Sequence, residues 1–125
     1  LNQLKKLKIL IAEDDDISAF LIEKSIKIFS REILKASSGY NAVELCKTNP
    51  DIDLILMDIK MPNINGFEAT ALIRQFNKDV IIIAQTAFAL FGDEERAIAV
   101  GCNDYIAKPI DMNLLMAKIK KHFKQ

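Results

Sequence analysis

Short apolar runs alternate along this chain with longer stretches of helical period, and turn-forming residues fall between them. The runs are Ile9-Leu10-Ile11-Ala12, Ile33-Leu34, Leu54-Ile55-Leu56-Met57, Val80-Ile81-Ile82-Ile83-Ala84 and Tyr105-Ile106-Ala107. Short runs rich in β-branched or large apolar side chains read as strands. The first, third and fourth are apolar throughout, as strands are when helices cover both faces of a sheet. Glu32 and Lys35 bracket the second, which predicts an edge strand protected by charge.

The intervening stretches predict five helices. Ile17, Phe20, Leu21 and Ile28 share one helical face, so a first helix over about 16–29 is expected to turn that stripe inward. Met112, Leu115, Met116, Ile119 and Phe123 define a final helix, with Asp111 in a capping position. Helices are also expected over about 39–48, stopped by Asn49-Pro50, and over about 66–76. The stretch 92–100 is polar around most of its circumference, with Ala97 and Ile98 nearly its only apolar contribution. Shallow docking and the greatest mobility of the five are expected there. Five βα repeats in a small domain make an α/β, doubly wound parallel sheet with helices on both faces, and such sheets gather ligands beyond the carboxyl ends of their strands.

The residues just after each run are therefore the ones to inspect. The first is followed by Glu13-Asp14-Asp15-Asp16, the third ends at Asp58, the fourth ends Gln85-Thr86-Ala87, and the fifth leads into Lys108-Pro109. Singly these are ordinary: acids suit a helix N-terminus, and an Asp after a strand is a common turn former. A parallel sheet with strands one, three, four and five adjacent would bring Glu13, Asp14, Asp58, Thr86 and Lys108 to one rim. Like charges about 4 Å apart repel by on the order of 4 kcal/mol at an effective dielectric of 20, so three carboxylates there need cations. Lys108 is one, and a hard divalent ion that prefers oxygen ligands, Mg²⁺ or Mn²⁺, would supply the rest. Metal, ammonium and hydroxyl side by side suit a phosphoryl group, each meeting one of its oxygens.

Composition narrows the partners. Half of the 125 residues are apolar, enough for a core without disulfides or structural metal. Lys plus Arg and Asp plus Glu number 17 each, which argues against nucleic acid or an anionic membrane as a partner. Apolar runs of about five residues fall far short of the roughly 20 needed to span a bilayer. Cys46 and Cys102 form no CxxC, and with the single His122 they build neither a zinc nor a redox motif; both are expected to be buried, reduced thiols. His122 lies in a Lys-rich last turn, where positive charge complements the helix C-terminus. The neutral total hides sorting: residues 1–12 carry three Lys and no acid, residues 13–16 are all acids, and residues 111–125 carry four Lys against Asp111.

In this order, Glu13-Asp14, Asp58 followed by Met61-Pro62 and Gly66, Thr86-Ala87, Tyr105 and Lys108-Pro109 resemble the receiver domain of two-component response regulators. The resemblance implies the flavodoxin-like strand order 2-1-3-4-5, with a receiver domain over 8–124 and a flanking segment over 1–7. It implies that Asp58 is the phosphoacceptor, taking a phosphoryl group from a phosphohistidine on a histidine kinase or histidine phosphotransfer domain. Asp14 and Asp58 would ligate Mg²⁺, Glu13 would help through a water, and the carbonyl of Lys60 would complete the protein ligands. Thr86 and Lys108 would hold phosphoryl oxygens, and the Lys108–Pro109 peptide would be cis. Ala87 would leave room for the phosphoryl group, while Phe88 and the Lys60 side chain stand where the family tunes its hydrolysis. Thr86 and Tyr105 would switch the surface of the fourth helix, fifth strand and fifth helix toward a downstream protein domain, with phosphorylation-dependent dimerisation an open alternative. Such a domain accepts and slowly loses a phosphoryl group without being a turnover enzyme by itself. Thr86-Ala87-Phe88-Ala89-Leu90 and Gly101-Cys102-Asn103-Asp104-Tyr105, with no initiator Met and no output domain, point to the C-terminal receiver of a hybrid sensor kinase, on the cytoplasmic side.

Rival functions fit less well. A haloacid-dehalogenase-type phosphohydrolase needs a second Asp two positions after its nucleophile, and here that residue is Lys60. A flavodoxin-like cofactor carrier needs a first loop that welcomes phosphate, and Glu13-Asp14-Asp15-Asp16 repels it. A kinase needs a Gly-rich nucleotide loop, whereas the glycines are scattered at 39, 66, 92 and 101. A docking-only receiver would not need Asp14, Asp58, Thr86 and Lys108 all in place.

Overall fold

A computed structural model of the chain describes residues 6–87 and 92–123. In chain order the elements are β1 (Leu7–Ala12), α1 (Asp16–Ile26) with a 3₁₀ turn (Lys27–Phe29), β2 (Ser30–Ala36), α2 (Gly39–Thr48), β3 (Leu54–Asp58), α3 (Gly66–Arg74), β4 (Ile81–Thr86), α4 (Asp93–Val100), β5 (Asp104–Ala107) and α5 (Met112–Phe123). The strands form one parallel sheet in the order β2-β1-β3-β4-β5, as expected, with β2 at an edge. No helix among the described residues is long and apolar enough to cross a membrane.

Alternating side chains of the central strands feed two cores. Leu10, Ala12, Ile55, Met57, Ile82 and Ala84 pack under α2, α3 and α4. Ile9, Ile11, Leu54, Leu56, Ile83 and Ile106 pack under α1 and α5. This two-sided burial is why those strands read as unbroken apolar runs. The helix starts are set by side chains: Asp15 caps α1, Ser38 caps α2, and Asn65 with Glu68 forms a reciprocal capping box on α3. Asp111 accepts from the N–H groups of Asn113 and Leu114 and so caps α5, as its position predicts.

Several expectations need correction. β2 is seven residues long rather than the Ile33-Leu34 pair, because Arg31, Glu32 and Lys35 face solvent along the edge and interrupt the apolar pattern. β4 starts after Val80 and runs through Gln85 and Thr86, and α3 stops at Arg74. β1 begins at Leu7, which is fully buried, two residues before the apolar run that predicted the strand. The largest correction concerns α1. The stripe of Ile17, Phe20, Leu21 and Ile28 is exposed, at 71%, 55%, 50% and 55%, whereas Ala19, Ile22, Ile26 and Phe29 enter the core. Both sets have helical spacing, so α1 is apolar on two faces, and only one can meet the sheet. On α4 only Ala97 is buried. Phe88 lies outside the described residues.

Candidate functional site

Strands β1, β3, β4 and β5 end at the same rim, and each delivers one part of the site. Glu13 follows β1, its N–H donating to the Ala36 carbonyl at 2.9 Å, which extends the sheet by one residue and holds its side chain inward. Asp58 is the last residue of β3 and is 2% exposed. Its Oδ1 accepts from the Lys60 N–H at 3.3 Å and from Lys108 Nζ at 3.1 Å. Lys108 Nζ also donates to Glu13 Oε1 at 3.2 Å, so one ammonium bridges the two buried carboxylates. Asp14 is exposed, yet ligand oxygens of Glu13, Asp14 and Asp58 all lie within 4.8 Å of one another.

The loop after β3 closes tightly over Asp58. The Gly66 N–H donates to the Ile59 carbonyl at 2.8 Å, which draws the start of α3 onto the strand end. A Cβ at Gly66 would collide with the Asp58 carbonyl oxygen, so only glycine permits this approach. Lys60 is placed beside the acids by its N–H contact with Asp58, while its residue is exposed. The Lys108–Pro109 peptide is cis, as the resemblance implies.

The electrostatics follow from this crowding. Burial pushes the Glu13 carboxyl up to about 7; Asp58 adds to the rise, while the Asp15 N–H and Lys108 oppose it. Burial alone would pull Lys108 down, but Asp58 and Glu13 outweigh it and leave the ammonium more basic than usual. Three carboxylates facing a single ammonium are an oxygen donor set short of positive charge, which fits a hard divalent cation such as Mg²⁺.

The expected switch pair sits on the next two strands. Thr86 is the last residue of β4, and its hydroxyl donates to Asp93 Oδ2 at 3.3 Å, linking the strand end to the first turn of α4. Tyr105 on β5 is half-buried against the α2–α4 side of the sheet. Burial, then Asp93, Glu94 and Glu95, raise its hydroxyl, which places Tyr105 near the acidic start of α4. Ala87 is exposed just beyond Thr86.

Cys46 and Cys102 are buried free thiols as expected, and burial disfavours the thiolate of both, pushing Cys46 up to about 11. Three features escaped the sequence reading. Asp93 partners Thr86, a pairing signalled only by an acid at the start of the fourth helical stretch. His122, beyond any role at the helix terminus, has Nε2 2.8 Å from Asp104 Oδ2, and Lys118 Nζ donates to Asp104 Oδ1 at 2.9 Å. Gln85 is the third: a polar residue after four apolar ones on β4, 1% exposed.

The chain matches the family described as response regulator receiver domain over residues 9–120. It is 36% identical over 129 residues to hybrid signal transduction histidine kinase B of Dictyostelium discoideum, a match that covers 92% of this chain and 6% of that kinase. It is 35% identical over 116 residues to the polar-differentiation response regulator DivK of Brucella ovis, covering 91% of this chain and 94% of DivK. Among solved structures, the co-crystal of the Saccharomyces cerevisiae histidine phosphotransfer protein Ypd1 with the receiver domain of Ssk1 aligns at a TM-score of 0.89. That match has 30% identity and covers 98% of this chain and 92% of the other. Family members bind Mg²⁺ through acidic residues, and Glu13, Asp14 and Asp58 form an acidic cluster among the described residues. Matched along nearly all its length and folded with the same topology, the chain belongs to the response regulator receiver domains of two-component signalling.

Proposed function

We propose that Asp58 is the phosphoacceptor of this receiver. What carries the reading is its place: a buried carboxylate at the end of β3, bonded to Lys108 and grouped with Glu13 and Asp14. A carboxylate oxygen of Asp58 attacks the phosphorus of a phosphohistidine on a histidine kinase or histidine phosphotransfer protein. The new O–P bond forms as the N–P bond breaks, and the leaving imidazole takes up a proton. Asp14 and Asp58 would hold Mg²⁺ (or Mn²⁺) directly, with Glu13 through a water and the Lys60 carbonyl completing the protein ligands; the bound ion would offset the charge of the phosphoryl oxygens. Lys108 pairs with one phosphoryl oxygen and the Thr86 hydroxyl with another, while exposed Ala87 leaves space for the group.

The donor's docking surface is inferred from α1. Ile17, Phe20 and Leu21 are exposed, and Leu21 lines a groove with Glu13, Ser18, Lys108, Pro109 and Met112 that opens beside the acidic cluster. An apolar face at the rim of a charged site suits a protein that must bring a phosphohistidine to Asp58. Readout is assigned to α4, β5 and α5: Thr86 leaving Asp93 for the phosphoryl group would free α4, and Tyr105 would turn inward behind it. That face would take a downstream protein domain or a second copy of the chain. We assign the receiver to residues 8–124, with Leu7 added, and place it in the cytoplasm as the receiver of a hybrid sensor histidine kinase.

The test is intact mass after incubation with Mg²⁺ and acetyl phosphate. One phosphoryl group should be gained by the wild type and none by Asp58→Asn. A gain that persists in Asp58→Asn overturns the acceptor, and no gain with no Mg²⁺ binding leaves a docking-only module.

A further inference from the structure

Gln85 has no role in the mechanism above, yet it is buried on β4 beside the site. It is in register with Asp58 on β3 and with Ile106 on β5. Its alternation with Ile83, and its pairing with Ile106, turn its side chain to the α1/α5 side of the sheet. Asp58 alternates with Leu56 and Leu54 and faces the same way. The carboxamide of Gln85 therefore neighbours the Asp58 carboxylate across one strand gap.

Both polar atoms of that carboxamide, Oε1 and Nε2, are buried without a hydrogen-bond partner among the described residues. Most buried polar groups are paired, and leaving a donor and an acceptor unmade costs stability at each group. A leucine, like the apolar residues around it, would avoid the cost. Strand order adds the second observation. Lys108 follows β5 but bonds to Asp58 on β3 and to Glu13 after β1, so its stem must cross the end of β4, which lies between them. The residue of β4 on that face, at the Asp58 level, is Gln85.

On the reading of Asp58 and its acidic neighbours given above, we infer that Gln85 is a positioning residue for Lys108. Without a divalent cation, the ammonium is the charge that bridges Glu13 and Asp58. With the cation among the acids, that role is filled, and two cations close together repel. Lys108 Nζ then withdraws toward β5 and donates to Gln85 Oε1, while Gln85 Nε2 donates to the Asp58 oxygen it has left. Both unpaired atoms are satisfied in the loaded state, and Lys108 is held one strand from Asp58, within reach of an incoming phosphoryl oxygen. The orphaned amide is a reserved partner, paired only when the site is charged.

The test combines a near-isosteric variant with a direct probe. Gln85→Met keeps the volume and removes both hydrogen-bonding groups. In the absence of Mg²⁺ its thermal midpoint should equal or exceed that of the wild type, since an unpaired buried amide is gone. Its Mg²⁺ affinity by calorimetry should fall at least about tenfold, the worth of one hydrogen bond to a charged group. In ¹⁵N-labelled wild type, the Gln85 side-chain amide signals should move on Mg²⁺ titration, and much less in Lys108→Met. Gln85→Met binding Mg²⁺ as tightly as the wild type overturns the inference while leaving Asp58 as acceptor untouched. Wild-type chain that neither binds Mg²⁺ nor gains a phosphoryl group overturns both. Gln85→Leu, which packs differently, guards against a variant lost to misfolding and should weaken Mg²⁺ binding to the same degree.

Discussion

Glu13 holds a proton more tightly in the folded chain than a free glutamate does, because the folded chain buries it beside Asp58. Its contribution to stability is full below the ordinary value of 4.5 and is lost as pH rises through about 7, where the folded form ionises. Cation-free wild type should lose on the order of 3 kcal/mol from this group across that window, and Glu13→Gln should not. Urea midpoints of the two proteins at pH steps from 4.5 to 7.5 check it: the difference must grow with pH in favour of the variant. Gly66 makes a second case. Gly66→Ala sets a methyl group against the Asp58 carbonyl and should cost about 1–3 kcal/mol of unfolding free energy, with slower phosphorylation by acetyl phosphate as Asp58 shifts. At this scale much of the site was legible, because Glu13, Asp14, Asp58, Thr86 and Lys108 are polar residues directly at the ends of apolar runs. Gln85 stands at such an end too, but nothing in its neighbours' identities tells that its side chain lies buried on the Asp58 face of the sheet; that follows from register.

α1 shows what periodicity leaves open at the scale of an element. Ile17, Phe20, Leu21 and Ile28 and the set Ala19, Ile22, Ile26 and Phe29 both repeat with helical spacing, and the choice between them depends on how the chain leaves β1 through the Asp15 cap. The face turned to solvent is the one the sequence reading placed in the core. Its exposure predicts a separation of activities: Phe20→Ala with Leu21→Ala should slow transfer from a phosphohistidine donor by at least about tenfold, as loss of an interface anchor does, and leave the acetyl phosphate reaction unchanged. Equal slowing with both donors would place the defect in the site instead of the docking face. Stability should change by about 0.5 kcal/mol or less, since the residues are exposed. β5 and α5 are joined by Asp104, which Lys118 and His122 both contact. Burial pushes the Asp104 carboxyl up, but Lys118, His122 and the Tyr105 N–H together outweigh it and hold it below its ordinary value. A carboxyl lowered in the folded state stabilises above its unfolded value and ceases to do so as pH falls through its folded value. Asp104→Asn should therefore be less stable than wild type at neutral pH, with the gap closing under acid in a urea series.

Across the whole molecule, the charge that sums to zero is distributed so that the strand-end rim is acidic and α5 is basic. The alternation of strands and helices was legible because buried parallel strands leave unbroken apolar runs, and the rim followed from topology. The coupling between rim and surface was not, since the Thr86–Asp93 contact joins a strand end to a helix across a loop. That contact gives the conformational change a physical handle. Thr86 can donate to Asp93 or to a phosphoryl oxygen on Asp58, and one hydroxyl proton cannot serve both. On the proposed function, occupation of Asp58 would remove a tie on the first turn of α4, a helix with only Ala97 buried, and Tyr105 would rearrange near the same acidic turn. Beryllofluoride with Mg²⁺, a stable mimic of the phosphoryl group, should change amide hydrogen exchange in α4 and β5 of the wild type by at least about threefold, the worth of roughly 0.65 kcal/mol. In Thr86→Ala the mimic should still bind and the exchange of α4 and β5 should stay within error of the mimic-free variant. An α4 response of wild-type size in that variant would show that the signal leaves Asp58 by a route that does not pass through the Thr86 hydroxyl.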